Sequence, residues 1–143
     1  MKKQIGYLEK VLIDECRKDE PSLIQINRLF ELGADPNAVN EYGESVLANV
    51  FADYCGGGEK LRFAKYAPQI VVVFLCNGFD VRRHGLKLVS ELQNSAYDKN
   101  IRTAIKIILS RRKAAFKDDC KTFRLCLKAI TGKIFRRLKT SAA

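Results

Sequence analysis

Gly33-Ala34-Asp35-Pro36-Asn37-Ala38-Val39-Asn40-Glu41-Tyr42-Gly43-Glu44-Ser45-Val46-Leu47 closes one predicted helix, reverses direction twice and opens another. Before it, Leu23, Ile26, Leu29 and Phe30 fall at i, i+3, i+6 and i+7, which places them on one helical face. Gly33 stands where that helix ends, since glycine reaches the left-handed conformation without a Cβ penalty. Pro36 cannot continue a helix and biases Asp35 toward extended geometry. Asn37 and Asn40 suit tight turns, and Gly43 suits positive φ. Ser45 is placed to cap the next helix, whose apolar positions are Val46, Leu47, Val50 and Phe51.

A second copy of this logic follows. Residues 68–77 form an apolar segment ending at Gly78, then Phe79, Asp80 and Val81, and His84-Gly85-Leu86-Lys87-Leu88-Val89 reopens a helix. Gly33 and Gly78 lie roughly 45 residues apart, longer than a repeat of about 33 residues. The surplus falls around Cys55-Gly56-Gly57-Gly58-Glu59-Lys60, read as an insertion between the two helices of the middle unit.

The order helix, Gly-Ala-Asp-x-Asn-Ala, x-x-Gly-x-Ser-x-Leu resembles an ankyrin repeat. The match is partial. The family usually carries Thr-Pro-Leu-His at the second helix start, where Ser45-Val46-Leu47-Ala48 stands here. The resemblance implies an all-α solenoid: an ankyrin-like stack of antiparallel helical hairpins with short finger loops. It also implies a non-catalytic module that binds another protein through finger tips and inner helices. Carried onto this chain, the first finger offers Asn37, Asn40, Glu41 and Tyr42. The second, between Asp80 and Gly85, offers Phe79, Arg82, Arg83 and His84. Tyr42 and Phe79 are the expected anchors, because aromatic and Arg side chains dominate interface energy. Phe79 stands where the family usually has Ala, which equally fits an inward-packed ring.

Helices are expected near 4–18, 22–32, 45–54, 67–77, 86–96, 99–112 and 116–138, the first six pairing as three hairpins. Residues 1–113 are read as the hairpin array and 114–143 as a basic amphipathic helix packed on it as a cap. In the last helix Phe116, Cys120, Phe123, Leu127, Ile130, Ile134 and Leu138 make one continuous stripe. A free stripe meeting a membrane or a partner groove is the alternative. The run Ile70–Cys76 is too short to span a bilayer, which needs about 20 residues. Its three valines also fit a buried strand, but the Gly-x-Asp after it favours a helix.

Charge is strongly asymmetric in this chain of net charge +10. Residues 1–59 carry 6 Lys and Arg against 11 Asp and Glu, whereas 60–143 carry 20 against 5. The cationic end predicts an acidic protein partner, nucleic acid or, less favoured, an anionic membrane surface. Arg102 and Lys106 sit one turn apart. Lys117, Lys121, Arg124 and Lys128 step at helical spacing, and together they predict a ridge for phosphates or acidic side chains. No zinc-finger spacing or RNP-type motif is present, so nucleic-acid binding would be contact with the backbone.

Catalytic signals are weak. Gly56–Lys60 lacks the spacing and the Ser or Thr of a phosphate loop, since Leu61 follows Lys60. The paired acids Asp14-Glu15, Asp19-Glu20 and Asp118-Asp119 point apart on a helix. No nucleophile–base–orienter set stands out, so no enzyme, metal or cofactor is expected. Five cysteines in an odd, unpaired pattern and one histidine predict reduced thiols in a cytoplasmic protein. Lys2 and Lys3 are followed by no apolar secretory segment, so none is expected.

Overall fold

The computed structural model describes residues 3–52, 65–95 and 98–117. Helices make up most of these residues, and no β-strand occurs among them. The order is α1 (Tyr7–Cys16), α2 (Leu23–Glu31), α3 (Val46–Phe51), α4 (Ala67–Cys76), α5 (Val81–Leu92), a 3₁₀ turn at Gln93–Ser95, and α6 from residue 99 to at least 117. The chain divides into two compact units, Met1–Arg112 and Lys113–Ala143. The continuous stripe expected at 116–138 and its proposed capping role lie outside the described residues from 118 onward.

Local chemistry sets most helix ends. Ser22 caps α2 by accepting from the Gln25 N–H at 3.3 Å, and Ser45 caps α3 by accepting from the Ala48 N–H at 3.1 Å. At α1 the Glu9 carboxylate reaches back to the Gly6 N–H at 3.3 Å. The two glycines end their helices by the same device. The Gly33 N–H donates to the Phe30 carbonyl and the Ala34 N–H to that of Leu29. The Gly78 and Phe79 N–H groups repeat this on Leu75 and Phe74. Both glycines hold the positive φ this closure needs, 110° and 91°. At the second copy the helix-end apolar contact is aromatic, with Phe79 and Phe74 edge to face at 6.3 Å.

Packing follows a regular scheme. α1 lies against α2 and α3, α2 against α4, and α3 against α5. Leu12, Ile26, Leu47, Phe51, Ile70 and Phe74 are fully buried between them. Phe30 of α2 meets Phe74 of α4 edge to face at 5.1 Å. The Ile70–Cys76 run is helical, its β-branched residues overridden by tertiary burial of Ile70, Val71 and Phe74. α5 and α6 approach closely at Gly85. A Cβ built there would stand 3.5 Å from both Ile108 Cγ2 and Arg112 Cδ, and 3.1 Å from Val81 Cγ2. Gly85 is thus a packing glycine inside a helix, where the sequence reading had placed the end of a finger.

Two further expectations are corrected. Residues 3–5 are extended. Val39 donates to the Lys3 carbonyl and accepts from the Ile5 N–H, so α1 begins only at Tyr7. The second finger does not form. Asp80 caps α5 by accepting from the Arg83 N–H at 3.2 Å, so the helix begins at Val81. Residues 81–85 are therefore its first turn and a half.

Candidate partner-binding surface

The first finger is built around one side chain. The Asn40 Oδ1 accepts from the Tyr42 N–H at 3.0 Å and the Glu44 N–H at 2.9 Å, while its Nδ2 donates to Glu44 Oε2 at 3.0 Å. The backbone closes the same turn, Gly43 N–H to the Asn40 carbonyl and Asn40 N–H to that of Glu44. Gly43 takes φ 77° to allow it. Fixed in this way, the turn presents Glu41 and Tyr42 outward, Tyr42 with 76% of its surface exposed.

Asn37 stands at the finger base and its amide is spent within the molecule. Nδ2 donates to the Gly78 carbonyl at 2.9 Å, and Oδ1 accepts from the Asp80 N–H at 2.6 Å. Asp35 Oδ1 accepts from the Asn37 N–H at 2.8 Å and sets the orientation. The residue that the sequence placed among partner contacts therefore clamps the first loop to the α4–α5 junction.

Of the residues assigned to a second finger, Phe79 and His84 are buried. Their rings lie 5.8 Å apart, so neither stands at a tip. Arg82 and Arg83 remain exposed on the first turn of α5. Arg102, Lys106 and Lys117 are exposed on α6, and Lys121, Arg124 and Lys128 lie outside the described residues.

Beside the finger lies a feature that sequence reasoning missed. An open groove of about 490 Å³ is lined by Gln4 and Ile5 of the extended segment, Lys10 and Ile13 of α1, Asn40 and Glu41 of the finger, and Asn49 of α3. Ile5 and Ile13 supply the apolar part of its lining. Lys10 and Glu41 bring opposite charges and Gln4 a side-chain amide, while the Asn49 Nδ2 donates to the Ser45 carbonyl at 2.8 Å. Tyr7, 80% exposed, lies one helical turn before Lys10 on α1. Four segments supply this lining, so no local pattern marks it; the signal within reach was Lys10 and Ile13 on the side of α1 beside its buried stripe.

Chemistry at the thiols and carboxylates is subdued. Burial, reinforced by Glu15, pushes the Cys16 thiol up to about 12, which removes its nucleophilicity. Cys16 and Cys76 carry free thiols. Burial raises Glu15, but the Lys18 ammonium and the Ser22 N–H together hold its carboxyl below the usual range. Burial and the neighbouring Glu44 raise Glu91, with Lys87 opposing. Among the described residues no three metal-binding side chains gather, and no helix is long and apolar enough to cross a membrane.

Comparison with protein-family models, curated proteins and solved structures returns no match.

Proposed function

We propose that the chain is a non-catalytic recognition module of ankyrin-like design that binds another protein across the finger and the adjoining groove. One observation carries the reading: a turn locked by Asn40 and Gly43 holds Tyr42 exposed, next in sequence to Asn40 and Glu41, which line an open groove. Holding an aromatic ring on a rigid turn lowers the ordering cost of binding, and exposed aromatics supply interface hot spots. The order of packing, α1 with α3, α3 with α5 and α2 with α4, suits a stack of helical hairpins. The paired glycine closures at 33 and 78 and the Asn37 clamp between successive units support the same reading.

The partner segment fits as an extended stretch, with an apolar side chain against Ile5 and Ile13 and a main-chain amide facing Gln4. The test is affinity capture from the native host with the wild type, Tyr42→Ala, and Ile13→Asp. A partner retained by the wild type and lost by both variants supports the proposal. Equal capture by all three proteins, each shown folded by circular dichroism, would overturn it.

A further inference from the structure

The seam between α5 and α6 carries an exposed apolar pair. α5 ends at Leu92 and α6 begins at residue 99, and a Cβ built at Gly85 would meet Ile108 Cγ2 and Arg112 Cδ, so the two helices run antiparallel. Leu86 follows Gly85, and Leu109 follows Ile108. One residue turns the side chain by about 100° around a helix. In an antiparallel pair those two turns lead to the same side of the seam, so Leu86 and Leu109 emerge on one rim of it. Both are exposed, at 54% and 42%.

Cations bracket the pair. Arg83 lies three residues before Leu86 and Lys106 three before Leu109, so each stands one turn N-terminal to its leucine, and both are exposed. Because the helices run in opposite directions, the two cations fall at opposite ends of the leucine pair. The hairpin keeps a positive excess with the carboxylates around it counted. Residues 81–112 hold eight Lys and Arg against Glu91 and Asp98, and Glu44 of the first finger lies near Glu91, as does Lys87. Asp98 caps α6, its Oδ1 accepting from the Asn100 N–H at 2.8 Å and the Ile101 N–H at 3.2 Å. Three acids thus stand against eight cations.

An apolar centre between cationic ends is the layout of a protein interface, which has an apolar core and a polar rim. A sugar-phosphate backbone has no use for two leucines in the middle of its footprint. A lipid surface asks for a broad apolar face. α6 has committed Ile101, Ala104, Ile105 and Ile108 to the interior, which leaves only two half-covered leucines for lipid. Two packed helices leave a groove along their seam, and an amphipathic helix lays its apolar face into such a groove with anchors at i, i+3, i+4 and i+7. Positive charge at both ends of the leucine pair selects carboxylates on the flanks of that helix.

We propose that the α5–α6 seam at Leu86 and Leu109, bracketed by Arg83 and Lys106, docks an acidic amphipathic helix of a protein partner. The leucines receive its apolar stripe, and the two cations receive acidic side chains on either side of that stripe. This surface is separate from the groove lined by Ile5, Ile13 and Glu41, and the proposal does not depend on the finger reading.

Fluorescence anisotropy of the full chain tests it with a labelled Leu/Glu peptide of about five helical turns, Leu at i, i+3, i+4 and i+7 and Glu elsewhere. The wild type should bind this peptide saturably at about 0.15 M salt. A peptide of the same composition in scrambled order has no apolar stripe and should bind at least about tenfold more weakly. Leu86→Gln/Leu109→Gln should weaken the ordered peptide by about tenfold or more. Arg83→Gln/Lys106→Gln should weaken it and flatten its salt dependence. All four positions are exposed, so both variants should fold, as circular dichroism will show. Tyr42→Ala should bind the peptide like the wild type, which separates this surface from the finger. No saturable binding by the wild type overturns the proposal, as does equal binding of the scrambled peptide or polyglutamate, or a folded leucine variant of unchanged affinity. Weaker binding by Tyr42→Ala overturns it by moving the site to the finger. Displacement of the peptide by phosphatidylserine vesicles or by a nucleic-acid duplex at equal charge concentration overturns it in favour of a lipid surface or a phosphate backbone.

Discussion

Replacing Asn37 by Ala probes the clamp between the first loop and the α4–α5 junction. Two hydrogen bonds vanish, to the Gly78 carbonyl and from the Asp80 N–H, and no other side chain bonded to these two groups is in place to replace them. The Gly78 carbonyl is at the surface, where water substitutes, so its bond contributes about 0.5 kcal/mol, the low end of the range. The Asp80 N–H bond is short and partly buried, and contributes about 1–1.5 kcal/mol with the cost of leaving the donor unpaired. The sum is about 1.5–2 kcal/mol. With a urea m-value of about 1.5–2 kcal/mol/M for a domain of this size, the unfolding midpoint should fall by about 1 M with m unchanged. Asn37→Asp keeps the acceptor for Asp80 but sets a carboxylate oxygen against the Gly78 carbonyl. It should therefore lie at or below the alanine variant in stability at neutral pH and recover on acidification. A loss below about 0.3 kcal/mol for Asn37→Ala, within the scatter of ordinary surface changes, would refute the clamp and return Asn37 to the set of partner contacts.

Gly43→Ala forces a side chain into φ 77° and should cost about 1–2 kcal/mol in urea unfolding, the usual penalty of that conformation. Tyr42→Ala should change stability by less than about 0.5 kcal/mol while abolishing partner capture, since its ring is exposed. Glu15→Gln should destabilise by about 1–2 kcal/mol near neutral pH through loss of the charged acceptor for Lys18 and Ser22. The sign follows from a carboxyl held below its ordinary value in the folded state. Its contribution is present above the unfolded value and is lost as pH falls through the folded one, so wild-type and Gln curves should converge in acid. Thiol labelling followed by peptide mass mapping should modify Cys76 promptly and leave Cys16 untouched until denaturant is added.

Local signals made the first unit legible. The spacing of Leu23, Ile26, Leu29 and Phe30, the caps at Ser22 and Ser45, and the glycines at 33 and 43 all act within a few residues. Each matches the structure. The same local chemistry was misread at Asp80, an acidic N-cap three residues before Arg83, because Gly85 suggested a turn. What Gly85 answers to is the approach of Ile108 and Arg112, more than 20 residues away, and no neighbour in the sequence announces that. Ile5 continues the apolar spacing of α1, yet it is held extended by Val39, a contact still more distant along the chain. The groove failed to show for a related reason. Ile5, Ile13 and Asn49 converge on it from three elements, and only the finger side of its lining, Asn40 and Glu41, was marked by pattern.

The first finger also separates what must be kept from what can vary. Its shape rests on Asn40, Gly43 and Ser45, whose polar atoms or backbone angles are all engaged in holding the turn. Glu41 and Tyr42 contribute exposed side chains to that frame. Substitution at these two positions changes what the turn displays without changing how it is made. Residues 41 and 42 are therefore a small window in which, under the proposed function, partner choice could change while the scaffold is left alone. If the proposed function holds, a change at these two positions would act on recognition directly, and one or two substitutions would suffice to retarget it.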